Sequence, residues 1–85
     1  MKLEINQIVK LRNGKVGVTS AFNGKAFLLV FASFVTPIKR YNDDLRTKNE
    51  NYDIMEVYDG EGVEANDVFK VKFSTDNLNL IWKRE

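Results

Sequence analysis

The chain has 85 residues, 44% of them hydrophobic and 29% charged, with a net charge of +1, no cysteine and no histidine. That length suits one domain, and the missing residue types exclude a disulfide framework, cysteine or imidazole metal sites, and Ser-His-Asp or Cys-His catalysis. A domain this short buries roughly 60–65% of the surface its unfolded chain exposes, so oligomerisation is an available source of further burial.

The start, Met1-Lys2-Leu3-Glu4-Ile5-Asn6, has no apolar stretch behind the lysine, and the most apolar run, 26–35, is about half the length that spans a bilayer. The expected location is therefore the cytoplasm, with no membrane partner. Charge is uneven: residues 1–42 carry net +6, 43–69 net −7 and 70–85 net +2. A basic patch fits this pattern, and a uniformly basic coat does not.

Two Asn-Gly pairs organise the first half. Asn13-Gly14 and Asn23-Gly24 lie between apolar segments, and Asn-Gly tolerates the positive φ that both central residues of a type I′ turn need. They predict a three-stranded antiparallel meander over about 7–12, 15–22 and 25–34. The third strand, containing Ala26-Phe27-Leu28-Leu29-Val30-Phe31-Ala32, is apolar on both faces, so its second face needs cover from a helix, a later strand or a second subunit. Pro37 ends it by removing a ladder donor.

Residues 39–51 are polar and turn-rich, a loop with a short extended piece at Tyr41. Tyr52 to Tyr58 predicts a fourth strand, and Asp59-Gly60-Glu61-Gly62 a turn. Over 63–73 two periodicities compete: Ala65, Phe69 and Phe73 fall at helical spacing, whereas Phe69-Lys70-Val71-Lys72-Phe73 alternates as a strand. A short helix over about 65–70 is adopted because Asn66-Asp67 can start one. Leu78 to Lys83 predicts a final strand with Leu78, Leu80 and Trp82 on one face. The expected fold is mainly β, a small SH3-like or OB-like barrel of about five antiparallel strands with at most one short helix.

Ser20, Ser33 and Ser74 have no catalytic partner at a recognised spacing. The acids from Asp43-Asp44 to Asp67 do not match an EF-hand loop and read as turn caps and solvated faces, so neither a catalytic residue nor a metal ligand is assigned and no cofactor is implied. Gly14, Gly17 and Gly24 do not form a phosphate-loop pattern. Lys39, Arg40 and Tyr41, with Arg46 and Lys48, form the candidate ligand-binding loop. Phosphates need cationic donors and bases need a flat face. The plain alternative is a solubilising loop with Tyr41 tucked into the core.

The segments Tyr41-Asn42-Asp43-Asp44-Leu45, Tyr52-Asp53-Ile54-Met55-Glu56-Val57-Tyr58 and Leu80-Ile81-Trp82-Lys83-Arg84-Glu85, with the opening Leu11-Arg12-Asn13-Gly14 hairpin, resemble short phage and prophage proteins of Gram-positive bacteria. The resemblance covers nearly the whole chain and transfers no functional residue. It implies a setting, an accessory protein in an infected or lysogenic cell. The expected function is then a non-catalytic, homo-oligomeric binding protein that counters host defence, either by sequestering an anionic nucleotide or by binding a defence protein. A nucleic-acid-binding or replication-associated module and a protein-docking adaptor are the alternatives.

Overall fold

Local turn chemistry sets the first three strands. The computed structural model describes residues 2–30, 34–64, 68 and 74–85. Asn23 (φ 51°) and Gly24 (φ 76°) are both left-handed and join β2 (Val16–Phe22) to β3 (Lys25–Val30) through a type I′ turn. Asn13-Gly14 joins β1 (Gln7–Leu11) to β2 by another route. There only Gly14 is left-handed, at φ 85°. Its N–H donates to the Leu11 carbonyl, and the Leu11 N–H donates to the Lys15 carbonyl, both at 2.9 Å. This is a type I turn closed by a left-handed glycine, which corrects the type I′ expectation at that pair. Asn13 instead turns its side-chain oxygen to the Lys15 N–H, at 3.0 Å.

The predicted third strand divides in two. β3 pairs antiparallel with β4 (Phe34–Pro37), with Val30 opposite Phe34 and Phe27 opposite Pro37. The chain therefore reverses direction between Val30 and Phe34. Pro37 does end the strand. After a loop with two 3₁₀ turns, η1 (Ile38–Arg40) and η2 (Glu50–Tyr52), β5 (Ile54–Asp59) returns to pair with β1, and β6 (Leu80–Lys83) pairs with β5. The sheet order is β4-β3-β2-β1-β5-β6, all neighbours antiparallel. The fold is thus mainly β, and the described residues form six strands in one sheet. Among the described residues no pairing joins β4 to β6, so the sheet is not closed by hydrogen bonds.

The sheet nevertheless curls round one cluster. Val9, Leu11, Leu28, Val30, Ile54 and Val57 are buried together with Leu3, Tyr41 and Leu45. Phe34 on one outer strand and Trp82 on the other both pack against this same cluster. The opposite face carries a smaller cluster of Ile8, Val18, Tyr58 and Val68, with Leu29 packed on it. β3 thus finds cover on both faces within its own chain. Gly17 permits the close approach of β2 to β3, because a Cβ there would lie 2.9 Å from the Leu29 carbonyl oxygen.

A register shift between Val57 and Tyr58 sets Trp82 beside Val57 and Leu80 beside Tyr58. Val57 and Tyr58 belong to opposite clusters, so the bulge separates Leu80 from Trp82 and corrects the expectation that they share a face. Leu80 is left half-exposed. The expected helix over 65–70 lies outside the described residues except for Val68, which is buried in the smaller cluster.

Thr19, fully buried in β2, ties the N-terminal segment to the sheet. Its hydroxyl donates to the Glu4 carbonyl and accepts from the Gln7 N–H at 2.9 Å. Its carbonyl accepts from the Asn6 N–H at 3.0 Å. Leu3 is thereby held in the core. Thr19→Val keeps the shape and leaves the Gln7 donor unpaired, which costs about 1–3 kcal/mol. Thermal denaturation should show the midpoint falling by roughly 4–8 °C per kcal/mol, while Ser20→Ala next to it changes stability by less than about 0.5 kcal/mol.

Candidate functional site

The loop after β4 is shaped by Pro37 and by what its neighbours bury. Pro37 (φ −60°, ψ 138°) feeds the chain into η1, and the Tyr41 N–H closes that turn on the Ile38 carbonyl at 2.9 Å. Ile38 packs against the large cluster. With three residues per turn, successive side chains of a 3₁₀ helix point about 120° apart. Anchoring Ile38 inward therefore sends Lys39 and Arg40 outward on two different flanks.

Those flanks are two separate clefts. Arg40 lines one of about 530 Å³ with Lys48, Thr47, Phe34 and Tyr52, between β4 and the 47–52 segment. Lys39 lines another of about 650 Å³ with Lys2, Leu3, Ile38 and Asn42. The first has the chemistry of an anion site. The Phe34 and Tyr52 rings, 4.7 Å apart and tilted at 55°, form an aromatic wall packed against the core. Arg40 and Lys48 are exposed, and among the described residues neither takes part in an ion pair. Asn49 lines the same cleft but uses its side-chain oxygen on the Asn51 N–H, capping η2.

The five candidate residues therefore divide. Arg40 and Lys48 converge. Lys39 faces the other cleft. Arg46 lies 3.4 Å from Asp44, both exposed, an arrangement worth little in water, and it lines neither cleft. Tyr41 is 9% exposed, its ring part of the large core cluster. Its hydroxyl donates to the Tyr52 carbonyl at 2.7 Å. Tyr41 thus positions Tyr52 from behind and offers no open face for a base. The flat surface belongs to Phe34 and Tyr52, which the sequence placed inside strands. Only a contact between residues 18 positions apart could have revealed the pair.

Asp53 holds this loop in place. Its carboxylate, 3% exposed as a residue, accepts from the Thr47 N–H at 2.9 Å and meets the Arg12 guanidinium at 3.4 Å. Arg12 in turn donates from Nε to the Glu50 carbonyl at 3.1 Å and from its backbone N–H to the Asp53 carbonyl at 2.9 Å. Lys48 and Tyr52 therefore stand on a segment pinned to the first hairpin.

A further cleft of about 800 Å³ lies beside the start of β1, lined by Glu4, Asp59, Glu61 and Glu64 with Ile5 and Ile81. Its charge repels anions, and among the described residues no group of three or more acids is placed to hold a metal ion. Comparison with family models, curated proteins and solved structures finds no match.

Burial, and after it the nearby Asp53 carboxylate, pushes the Tyr41 phenol from 10.0 up to about 12. The folded protein then keeps a proton that the unfolded chain releases above pH 10, so this residue's contribution to stability falls as pH rises from about 10 to about 12. Ultraviolet titration of the folded protein should show a tyrosinate step near pH 12 that Tyr41→Phe removes. A titration that Tyr41→Phe leaves unchanged near pH 12 would mean that this ring is open to water.

Proposed function

We propose that this protein is a non-catalytic binding protein whose cleft between β4 and the 47–52 segment takes an anionic nucleotide. The observation that carries the reading is the meeting of two cations, Arg40 and Lys48, which form no ion pair among the described residues, with the Phe34–Tyr52 ring pair in one cleft of about 530 Å³. That volume falls within the usual range for small-molecule sites, about 300–1,000 Å³. Charge-assisted hydrogen bonds from the guanidinium and ammonium groups hold phosphate, and an aromatic face receives the base. In the phage setting that the sequence resembles, sequestration withdraws a signalling nucleotide from a host defence system in the bacterial cytoplasm. Assembly into a homo-oligomer belongs to the same reading, through the outer strand β4, where Val35 is 63% exposed.

Calorimetry against linear and cyclic nucleotides tests the ligand. Arg40→Gln and Lys48→Gln each remove one charge-assisted contact worth about 1.5–3 kcal/mol, so each weakens binding roughly tenfold to a hundredfold. Glu61→Gln, in the acidic cleft, changes nothing. Tyr52→Leu keeps the apolar body and loses the stacking face, at about 1–3 kcal/mol, with its melting point measured alongside. Heat from none of the nucleotides, with folded protein, would falsify the reading.

Light scattering tests the assembly. The expected mass exceeds that of one chain at micromolar concentration, and Val35→Lys returns it to the monomer. A monomer mass for the unmodified protein at high concentration removes the oligomer from the proposal.

A further inference from the structure

We infer that the ligand is longer than a mononucleotide: a single-stranded oligonucleotide that crosses η1, with phosphates held on both flanks of that turn. The inference rests on the nucleotide reading and extends it to the other side of η1.

A groove of about 450 Å³ adjoins the Lys39 cleft and shares Lys2, Leu3, Ile38 and Lys39 with it. Three lysines line this groove, Lys2 from the N-terminal segment, Lys25 from the start of β3 and Lys39 from η1, and its apolar floor includes Leu3, Ala26, Pro37 and Ile38. All three lysines are exposed, and among the described residues none takes part in an ion pair. With Arg40 and Lys48 added, five cations from four parts of the chain line adjoining clefts around one short turn. Among the described residues the single acid lining these clefts is Asp43.

A mononucleotide fills one cleft and leaves Lys2, Lys25 and Lys39 with Asp43 as the one carboxylate beside them among the described residues. A strand with a phosphate at every nucleotide meets both groups, releasing counterions at each contact. The apolar floor suits a sugar or the face of a base, which need no sequence-specific donor. An acidic peptide would match the charges, but the Phe34–Tyr52 ring pair in the cleft that Arg40 and Lys48 line favours a ligand that carries flat rings as well as anions.

The test compares a mononucleotide, by calorimetry, with fluorescent single-stranded oligonucleotides of roughly four to eight nucleotides, by anisotropy at several salt concentrations. The proteins are the unmodified chain, the triple variant Lys2→Gln, Lys25→Gln, Lys39→Gln, and the double variant Arg40→Gln, Lys48→Gln. Melting curves establish that each is folded. The expected result is oligonucleotide binding roughly tenfold or more tighter than mononucleotide binding. The triple variant loses that gain while keeping its mononucleotide affinity, and its salt slope is shallower by about 2, at about 0.7 per lost contact. Mononucleotide binding that depends on Arg40 and Lys48 but gains nothing with strand length, or a triple variant with unchanged oligonucleotide affinity and slope, overturns this inference alone. Binding of neither ligand, or binding indifferent to the double variant, overturns the nucleotide reading itself. An acidic peptide that binds in place of both overturns the two together.

Discussion

The carboxylate of Asp53 sits almost wholly out of water, and an isolated charge there would be strongly unfavourable. It is tolerable because Arg12 and the Thr47 N–H approach its two oxygens, and because Arg12 is itself held by the Glu50 carbonyl. Those contacts join two regions about forty residues apart, the first hairpin and the segment before β5. Backbone bonds reinforce the junction, from the Arg12 N–H to the Asp53 carbonyl and from the Asn13 N–H to the Asn51 carbonyl. The Arg12 side chain is 41% exposed, so its removal leaves the buried carboxylate with the Thr47 N–H and whatever water reaches the vacated side. The position of Lys48 and Tyr52 relative to Arg40 depends on this junction.

Other contacts fix the remainder of the loop. Leu45 adopts a left-handed φ of 62° that a leucine ordinarily avoids, at a cost of order 1–3 kcal/mol. Its side chain is 2% exposed in the large cluster, and its carbonyl accepts from the Ile54 N–H at 3.0 Å, so burial and pairing offset the strain. Arg84 reaches from beyond β6 to the Asp44 carbonyl at 2.8 Å and to the Ile54 carbonyl, while stacking over Trp82 at 5.1 Å. The loop is polar along its sequence, yet Tyr41, Leu45 and Asp53 are buried. A segment anchored in this way presents its exposed cations in a fixed arrangement, which lowers the ordering cost of binding.

The same anchoring separates the charges. Asp53 is buried, Asp44 stands beside Arg46, and Asp59, Glu61 and Glu64 gather with Glu4 in the cleft by β1. The clefts around η1 are left with lysines, an arginine and little opposing charge. A nearly neutral chain thus carries distinct acidic and basic surfaces, and the basic one surrounds the strand-to-loop junction that the aromatic pair borders.

The sequence by itself determined the features governed by a few neighbouring residues. Asn23-Gly24 dictated a type I′ hairpin because both residues accept positive φ, Pro37 ended β4, and Tyr41 was extended as its turn-rich surroundings implied. The mainly β, antiparallel character followed from such local rules. The tertiary structure decided whatever depended on contacts distant in sequence. The apolar run 26–35 folded back on itself to pair β3 with β4, and a bulge opposite β5 sent Leu80 and Trp82 to different faces. Tyr41 went into the core because its ring fills space there and its hydroxyl meets the Tyr52 carbonyl. The meeting of Arg40 with Lys48, and of Lys39 with Lys2 and Lys25, was likewise illegible in the sequence. Side chains on separate segments converge only when packing and the buried Asp53 junction set where those segments lie, and residue spacing does not encode that distance.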